Sequence, residues 1–436
     1  MICQKLSNSE LIKNTSILVS GTVLAQLIPI LLQPLLRRFY SPESFGAYSV
    51  YLSLLGILAV IASLKYELAI VLPKKDKDSI NILFLSFIIN LFFNVFLLVF
   101  IILWKKSIIT FLNISAEFSF YIYLVPLGVF FINLYQSINL WLIRKSRFLA
   151  ISKNKFIRRS LEGSSQLLLS YFKSPHGLIF GDLVGHFTNV LYGFWQSIKF
   201  GLDVRKISLI KVRYVVQKYS EFPRFNVVPS FMSACSYLLP AIFINKFYSS
   251  TETGFFDLSK LVLSIPLALI AISISNVLLQ KLTERFQKGQ SIIDEIYPII
   301  FIVLFISVSE IILILLFGER LFVLIFGKEW ILSGTISVLL VWAYAFNFFI
   351  ASFSSIYIAM KKIKLLSIWQ IFYFLSILSL GLFSNFTYLK FLKIFNFIQI
   401  IACIVSFSFM TYILFTYESK LENMDKEIPE GLNLKQ

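Results

Sequence analysis

The chain has 436 residues, of which 58% are hydrophobic and only 14% are charged. With a mean hydropathy of +0.81, it offers too little polar surface to face water on every side, which excludes an ordinary soluble protein and indicates an integral membrane protein. The net charge of +17 does not indicate a nucleic-acid partner, because the Lys and Arg residues lie in short loops between apolar runs, where they set membrane orientation.

Twelve apolar runs follow one another along the chain, and a helix needs about 20 such residues to cross the hydrocarbon core of a bilayer. The runs predict an all-α fold with about twelve transmembrane helices. Span 5 is short and polar, whereas span 10 is long enough to be tilted or broken. The predicted spans 1 to 12 are 14–36, 47–72, 80–104, 118–143, 157–173, 177–198, 227–246, 254–280, 296–317, 331–360, 363–386 and 394–417.

The basic residues between the spans predict how the chain is oriented. With both termini inside, the internal segments hold 28 Lys and Arg residues and the external loops hold 10, as the positive-inside rule requires. No small-residue cleavage site follows the first run, so we expect a retained span and not a removed signal peptide. The prediction is therefore a multi-pass membrane protein with both termini in the cytoplasm.

A short link occurs twice in the sequence. "FYSPESFGAYS" begins at Phe39 between spans 1 and 2, and "FYSSTETGFFDLS" begins at Phe247 between spans 7 and 8. Each half then has six spans, so the halves face the same way and form two six-helix bundles related by a parallel pseudo-two-fold repeat. The predicted N-terminal bundle, cytoplasmic linker, C-terminal bundle and cytoplasmic tail are residues 1–199, 200–226, 227–417 and 418–436.

Charged residues inside the spans are candidates for function, because a charge within hydrocarbon costs about 2.5–3.5 kcal/mol. Lys65 and Glu67 lie near the internal end of span 2, where Lys65 either faces a polar cleft or extends to the lipid head groups. Lys260 in span 8 follows Asp257 by three residues, so it either serves the same cleft or forms a local ion pair. We predict that all four residues belong to a substrate-binding cleft.

Spans 5 and 6 carry further charged residues. We predict that Arg158 and Arg159 belong to the same cleft, with anchoring at the internal membrane face as the simpler alternative. Asp182 and His186 are four residues apart on one face of span 6, and such a pair either relays protons or forms a buried hydrogen bond. We predict proton or ion coupling for both residues, together with Glu162.

Three more features of the spans are predicted to matter for structure or function. Glu310 is the deepest carboxylate and the fourth coupling candidate. Four prolines are predicted hinges, with simple kinks as the alternative: Pro29, Pro34, Pro240 and Pro266. Small residues recur every four positions in span 6, which predicts close helix packing: Gly177, Gly181 and Gly185.

No cofactor or metal site is expected. Cys3, Cys235 and Cys403 form no close pair and indicate neither a disulfide framework nor a zinc site. The phosphate-binding motif G-x-x-x-x-G-K-[ST] does not occur, so transport must draw on an ion gradient or on the cargo's own gradient.

Three stretches together resemble Wzx-type polysaccharide flippases: "SGTVLAQLIPILLQPLLRRFYSPESFGAYS" from residue 20, "GLIFGDLVG" from residue 177, and "KYSEFPRF" from residue 218. The resemblance implies the superfamily that includes multidrug exporters and the lipid II flippase, with two bundles around an alternately opening cleft. It implies a cargo of an oligosaccharide repeat unit on polyprenyl pyrophosphate, moved across the bacterial inner membrane for O-antigen or capsule synthesis. The implied partners are this cargo, membrane lipids, and the polymerase and chain-length regulator of the pathway.

Two other classes of function stay open on the sequence alone. A drug or cation exporter of the same architecture would need an acidic cleft, whereas Lys65 and Lys260 are positive. A membrane glycosyltransferase, polymerase or acyltransferase would be expected to show paired acidic motifs, a catalytic histidine or a large outer loop. The chain has two histidines and short outer loops, so we expect a transporter and not an enzyme.

Overall fold

The computed structural model describes the backbone of residues 10–427 and the side chains of residues 21–423 except Val23 and Glu422. This part contains fourteen α-helices, joined by turns and five short 3-10 helices, and no strand. The helices α1 to α14 are Glu10–Phe39, Pro42–Ala62, Asp76–Leu112, Val125–Arg144, Phe148–Tyr171, Gly177–Lys199, Leu209–Lys218, Glu221–Phe247, Ser250–Gln287, Ile293–Phe326, Ile331–Phe353, Ser355–Ala359, Ile363–Leu378 and Tyr388–Glu427.

Each predicted span corresponds to one of these helices; α7 lies in the predicted linker, and α12 is a short continuation of α11. Nine helical segments of the described chain are long and apolar enough to cross a membrane. The helices α1, α5 and α6 are not among the nine, and α5 and α6 carry the charged side chains described below. The predicted all-α membrane fold is confirmed.

The helix of span 2 ends earlier than predicted. It stops at Ala62 instead of continuing to residue 72, because Leu64 and Lys65 both have left-handed backbone angles, with φ of 51° and 61°. A 3-10 helix, Tyr66–Val71, carries the rest of the predicted span. Lys65 therefore lies in a turn and not within a continuous helix.

The segment 200–226, predicted as a linker, is folded onto helix α3. It contains α7, and α8 already begins at Glu221. Val215 of α7 is fully buried in an apolar cluster with Tyr66 and Trp141. The hydrophilic connection is thus packed against the first half of the chain.

The described chain forms two compact units. The first contains residues up to Gly254 together with 325–327, and the second contains 255–324 and the residues from Lys328 onward. The first unit therefore includes α8, which the sequence assigns to the second half. The predicted residue boundaries of the two bundles, the linker and the tail stay a prediction.

In the first unit, α5 lies along both α1 and α6. A Cβ atom added at Gly181 of α6 would lie 2.4 Å from Gln166 Cγ, and one added at Gly185 would lie 2.8 Å from Glu162 Cβ. Both neighbours are on α5, so the small-residue stripe of α6 permits the close approach that the sequence predicts. This approach brings the charged side chains of the two helices together.

In the second unit, hydroxyl groups join α9 to α11. Ser259 Oγ donates to the Ser333 carbonyl oxygen at 2.7 Å, and Ser333 Oγ donates to the Phe255 carbonyl oxygen at 3.0 Å.

The long tenth span is broken, since α11 ends at Phe353 and α12 begins at Ser355.

The four predicted hinge prolines lie inside continuous helices. Pro29 and Pro34 are in α1, Pro240 is in α8 and Pro266 is in α9. Membrane helices tolerate such prolines where neighbouring groups re-satisfy the freed backbone. Their role as hinges stays a prediction.

Candidate functional site

Arg158 is the centre of a buried charged cluster between α5 and α6. Its Nη2 atom donates a hydrogen bond to His186 Nε2 at 2.9 Å and lies 3.7 Å from Asp182 Oδ1. Its Nε atom lies 3.6 Å from Glu162 Oε2. The other three residues are buried, with exposed fractions of 5%, 1% and 5%. One guanidinium group thus connects three of the four predicted coupling residues.

The contact with Arg158 fixes the tautomer of His186. A guanidinium group has donors and no acceptor, so His186 Nε2 must accept, and the ring proton is assigned to Nδ1. His186 Nε2 also lies 3.6 Å from Asp182 Oδ1, but an unprotonated Nε2 cannot donate to a carboxylate. Asp182 and His186 are therefore close, as their spacing predicts, yet Arg158 bridges them. A proton relay between them stays a prediction.

Arg159 holds the other side of Glu162. Its Nη1 atom donates to both carboxylate oxygens at 2.9 Å. With His186 neutral, the cluster contains two positive groups, Arg158 and Arg159, and two negative groups, Glu162 and Asp182. The two arginines, which are partly exposed, thus compensate the two buried carboxylates, because an unpaired buried charge is strongly unfavourable.

A polar cavity of about 110 Å³ lies beside this cluster, inside the first unit. Tyr135 Oη and both polar atoms of the Asn189 side chain are buried and have no hydrogen-bond partner within the described residues. Because buried polar groups normally have partners, these groups indicate a place for a polar ligand. The cavity is lined by Thr22, Ala25, Gln26, Tyr135, Lys155, Arg158, Arg159 and Asn189.

The charge of the cavity wall favours an anion. Lys155, Arg158 and Arg159 contribute three positive charges, whereas Glu162 and Asp182 behind them contribute two negative ones, which leaves a net charge of about +1. Protonation of Asp182 would raise this net charge to about +2. The buried carboxylates therefore set how strongly the cavity attracts an anion.

Sequence reasoning missed Lys155, Asn189 and Tyr135. A signal was available for the first two, because Lys155 precedes Arg158 by three residues and Asn189 follows His186 by three, so each shares a helix face with a predicted residue. Tyr135 carries no such signal, since it lies on α4, which holds none of the predicted site residues.

The structure brings Lys65 and Glu67 together after the end of α2. Lys65 Nζ lies 4.0 Å from Glu67 Oε1. Glu67 is 1% exposed, and within the described residues neither of its carboxylate oxygens accepts a hydrogen bond. Neither residue lines the polar cavity, so the substrate-binding candidates of the first unit form two groups. Their assignment to one cleft stays a prediction.

The candidates of the second unit lie on α9 and α10. Asp257 and Lys260 are one helical turn apart on α9. On α10, Glu310 Oε2 and Ser307 Oγ are buried without a hydrogen-bond partner in the described part of the chain. Ser307 also lines an apolar cavity of about 310 Å³ between α10, α11 and α14. Among the described side chains, no three His, Cys, Asp or Glu groups gather in a way that could hold a metal ion.

Solved structures of membrane transporters share this fold. An inward-facing multidrug resistance MATE family transporter of the MOP superfamily matches with a TM-score of 0.67 and 16% identity, over 93% of this chain and 99% of the other. The lipid II flippase MurJ, in an inward closed conformation, matches with a TM-score of 0.70 and 13% identity, over 96% and 93%. The protein is thus a multi-pass membrane protein with the twelve-helix, two-bundle fold of these transporters.

The chain belongs to a family of polysaccharide biosynthesis proteins, whose model matches residues 35–334. It is also similar to the capsular polysaccharide biosynthesis protein CapF of Staphylococcus aureus, with 27% identity over 344 residues that cover 76% of this chain and 81% of that protein. The family match includes most of the polar cavity and its charged cluster. The resemblance stated from the sequence is confirmed.

Proposed function

We propose that the protein moves an oligosaccharide carried on polyprenyl pyrophosphate across the bacterial inner membrane for surface polysaccharide synthesis. The observation that carries the proposal is the polar cavity with Lys155, Arg158 and Arg159 on its wall. A diphosphate is anionic and offers paired oxygen acceptors, which guanidinium groups match in geometry. Membership of a polysaccharide biosynthesis family and the fold of a lipid II flippase support this class of cargo.

The unpaired groups of the cavity suit the same head group. Tyr135 Oη and the Asn189 amide can donate to phosphate oxygens and accept from a sugar hydroxyl. The cavity is small, so in this proposal it holds the charged diphosphate region while the sugars lie outside it. Lys65 and Lys260, if they face the transport path, provide further positive charge for the same anion.

Asp182 is the proposed link to protons. Its protonation raises the positive charge beside Arg158, so by Coulomb's law the proton and an anionic cargo favour each other's binding. A protein that exchanges cargo for a proton requires the opposite: binding of the proton must weaken binding of the cargo. It therefore has to use another carboxylate, for which Glu310 in the second unit is the candidate.

A deletion strain without a redundant flippase tests the function as a whole. We expect lipid-linked oligosaccharide to accumulate on the cytoplasmic leaflet and surface polysaccharide to be lost, and re-expression of the protein should restore both. Normal surface polysaccharide in that strain would contradict the proposal. Loss of drug resistance with unchanged polysaccharide would favour a drug exporter of the same fold instead.

Reconstituted protein tests the cavity itself. Lys155→Gln should slow the flipping of a fluorescent polyprenyl-diphosphate oligosaccharide in vesicles, because it removes one of the three cations on the wall. Lys211→Gln is the matched control, since Lys211 pairs with Asp78 at 3.4 Å and lies outside the cavity. Equal rates for both variants and the unmodified protein would exclude the cavity from the transport path.

A further inference from the structure

A larger cavity, of about 380 Å³, lies where α5 begins and α6 ends. It differs from the polar cavity described above: Lys153 lines this larger cavity, whereas Lys155 lines the polar one. Two residues along a helix are about 200° apart around its axis, so these lysines lie on opposite sides of α5. By the distribution of basic residues, this end of the helices is on the cytoplasmic side.

Three cations surround this cavity, and none has a counter-ion among the described residues. No carboxylate of the described residues lies within 4.0 Å of the charged groups of Arg147, Lys153 and Lys199. The Arg147 guanidinium lies 4.6 Å from the centre of the Phe200 ring, and Lys199 Nζ lies 5.6 Å from that of Trp195. Aromatic faces hold these cations in position but do not neutralise them.

Nearby basic residues behave differently. Arg144 Nε lies 3.1 Å from Asp76 Oδ1, and Lys145 contacts the other oxygen of the same carboxylate. Lys211 lies 3.4 Å from Asp78. Charges that only mark the cytoplasmic side can thus be paired in this protein, whereas those around the cavity are not.

The cavity also offers uncharged groups to a ligand. The 24-residue helix α5 begins here at Phe148, and its N-cap residue Arg147 provides no side-chain cap. The Ala150 N–H donates to the Arg147 carbonyl oxygen, so the backbone N–H groups of Phe148 and Leu149 are the ones available to an anion. Gln196 lines the cavity and is 3% exposed. Its Nε2 atom donates to the Ala150 carbonyl oxygen at 3.3 Å, but its buried Oε1 atom has no partner. A hydroxyl group on the ligand would satisfy that oxygen.

The surface next to the cavity is apolar. Leu191, Phe194 and Ile198 of α6 are exposed by 54%, 42% and 52% and belong to the same helix as the cavity residues Tyr192 and Trp195. The rings of Tyr192 and Trp195 are stacked, with centroids 5.6 Å apart, as is common where a protein meets the lipid head groups. A ligand that fits both the cations and this face carries a phosphate and a long hydrocarbon chain.

We propose that this cavity binds the phosphate of a membrane lipid between Arg147, Lys153 and Lys199, with the hydrocarbon chains on the exposed face of α6. Two kinds of lipid share the required chemistry: anionic phospholipids of the surrounding leaflet and a polyprenyl phosphate carrier. Basic pockets between transmembrane helices are suited to such head groups. The site concerns binding and does not depend on the proposed transport function.

The test compares lipid binding by purified full-length protein in phosphatidylcholine nanodiscs. The probes are dioleoylphosphatidylglycerol, undecaprenyl phosphate and inorganic phosphate, with native mass spectrometry as the measurement. We expect the triple variant Arg147→Gln, Lys153→Gln, Lys199→Gln to lose affinity for a lipid probe by about a hundredfold, since each basic group near the surface contributes about fivefold. The control variant is Lys206→Gln, Lys211→Gln, which removes two cations that are paired with carboxylates.

Each outcome decides the proposal. A loss for phosphatidylglycerol assigns the site to bulk anionic lipid, and a loss for undecaprenyl phosphate alone assigns it to the carrier; both support a lipid-phosphate site. Affinities that are unchanged in the triple variant, or that fall as much in the control, overturn it. Binding of inorganic phosphate as tight as that of both lipids also overturns it, because the hydrocarbon chain would then contribute nothing.

Discussion

Gly46 and Gly254 pack backbone against backbone within the first unit. A Cβ atom at Gly46 would lie 1.6 Å from the Ser250 carbonyl oxygen, and one at Gly254 would lie 1.9 Å from the Pro42 carbonyl oxygen. Arg37 Nη1 also donates to the Gly254 carbonyl oxygen, at 3.4 Å. The two glycines hold equivalent positions in the two repeated links, so each link provides the contact surface for the other.

Replacing either glycine should destabilise the structure. A methyl group in Gly46→Ala or Gly254→Ala meets main-chain atoms, which cannot rotate away as a flexible side chain can. We expect a loss of about 1–3 kcal/mol in the free energy of unfolding for either variant, typical of overpacking, and a lower thermal midpoint in detergent. The double variant should lose less than the sum, because both substitutions separate the same two segments.

Gly318→Ala is the matched control for this prediction. Its Cβ atom would lie 3.3 Å from Val338 Cγ2, a side-chain atom that can move by a few tenths of an ångström. We expect its thermal midpoint to stay close to that of the unmodified protein. If Gly46→Ala is as stable as Gly318→Ala, the two links do not pack in this way.

The repeat illustrates what sequence patterns can predict. The equivalence of the two links was evident because their order of residues and their place between apolar runs are local features. Their direct contact was not, since nothing in "FYSPESFGAYS" specifies which distant segment it meets. The early end of α2 was also missed, because Leu64 and Lys65 are not residues that usually mark a left-handed turn.

The charged cluster also shows that sequence spacing predicts contacts within one helix but not those between helices. The Asp182–His186 contact follows from residues four apart on one helix, and so does the 3.6 Å approach of Arg158 to Glu162. The cavity is lined by residues of four helices, α1, α4, α5 and α6, each in a specific rotation, so its Tyr135 hydroxyl could not be placed from spacing alone.

Arg158 should be needed for stability as well as for transport. In Arg158→Met, Asp182 loses its nearest cation, and Glu162 keeps only Arg159. Leaving a buried carboxylate without its partner costs about 3–5 kcal/mol, so we expect a marked fall in the thermal midpoint. Adding Asp182→Asn should restore part of the loss, because it removes the charge that was left unpaired.

The control for Arg158→Met is Arg213→Met, which removes an exposed arginine of α7. It should leave the midpoint almost unchanged, since exposed charges contribute little to stability. A cluster that tolerates Arg158→Met as well as this control, or a double variant no more stable than Arg158→Met, would contradict the bridging role of the guanidinium group.

Tyr135→Phe should separate binding from stability. The Tyr135 hydroxyl is buried with no partner among the described residues, so its removal should leave stability unchanged or raise it by up to about 1–3 kcal/mol. If the hydroxyl serves a ligand, the rise in thermal midpoint on adding geranylgeranyl pyrophosphate should be smaller in the variant than in the unmodified protein.

Tyr66→Phe provides the opposite case. The Tyr66 hydroxyl donates to the Val216 carbonyl oxygen at 3.2 Å, so its loss should lower stability by about 1 kcal/mol and leave the ligand-dependent rise intact. Identical ligand responses in the two variants would remove Tyr135 from the binding site.

Glu310→Gln should stabilise the protein while removing one route of coupling. Glu310 lies on the strongly apolar helix α10, and its buried Oε2 atom has no partner in the described structure, so a neutral amide avoids the burial of a charge. If Glu310 couples transport to protons, vesicles with the variant should still move cargo down its own gradient but should no longer respond to an imposed pH gradient. Glu319→Gln, on the same helix, is the control, since Glu319 is exposed and accepts a hydrogen bond from Thr335 at 2.8 Å. A full pH response in Glu310→Gln would mean that another carboxylate couples transport to protons. If that carboxylate is Asp182, whose protonation favours binding of the anion, the protons would have to move in the same direction as the cargo.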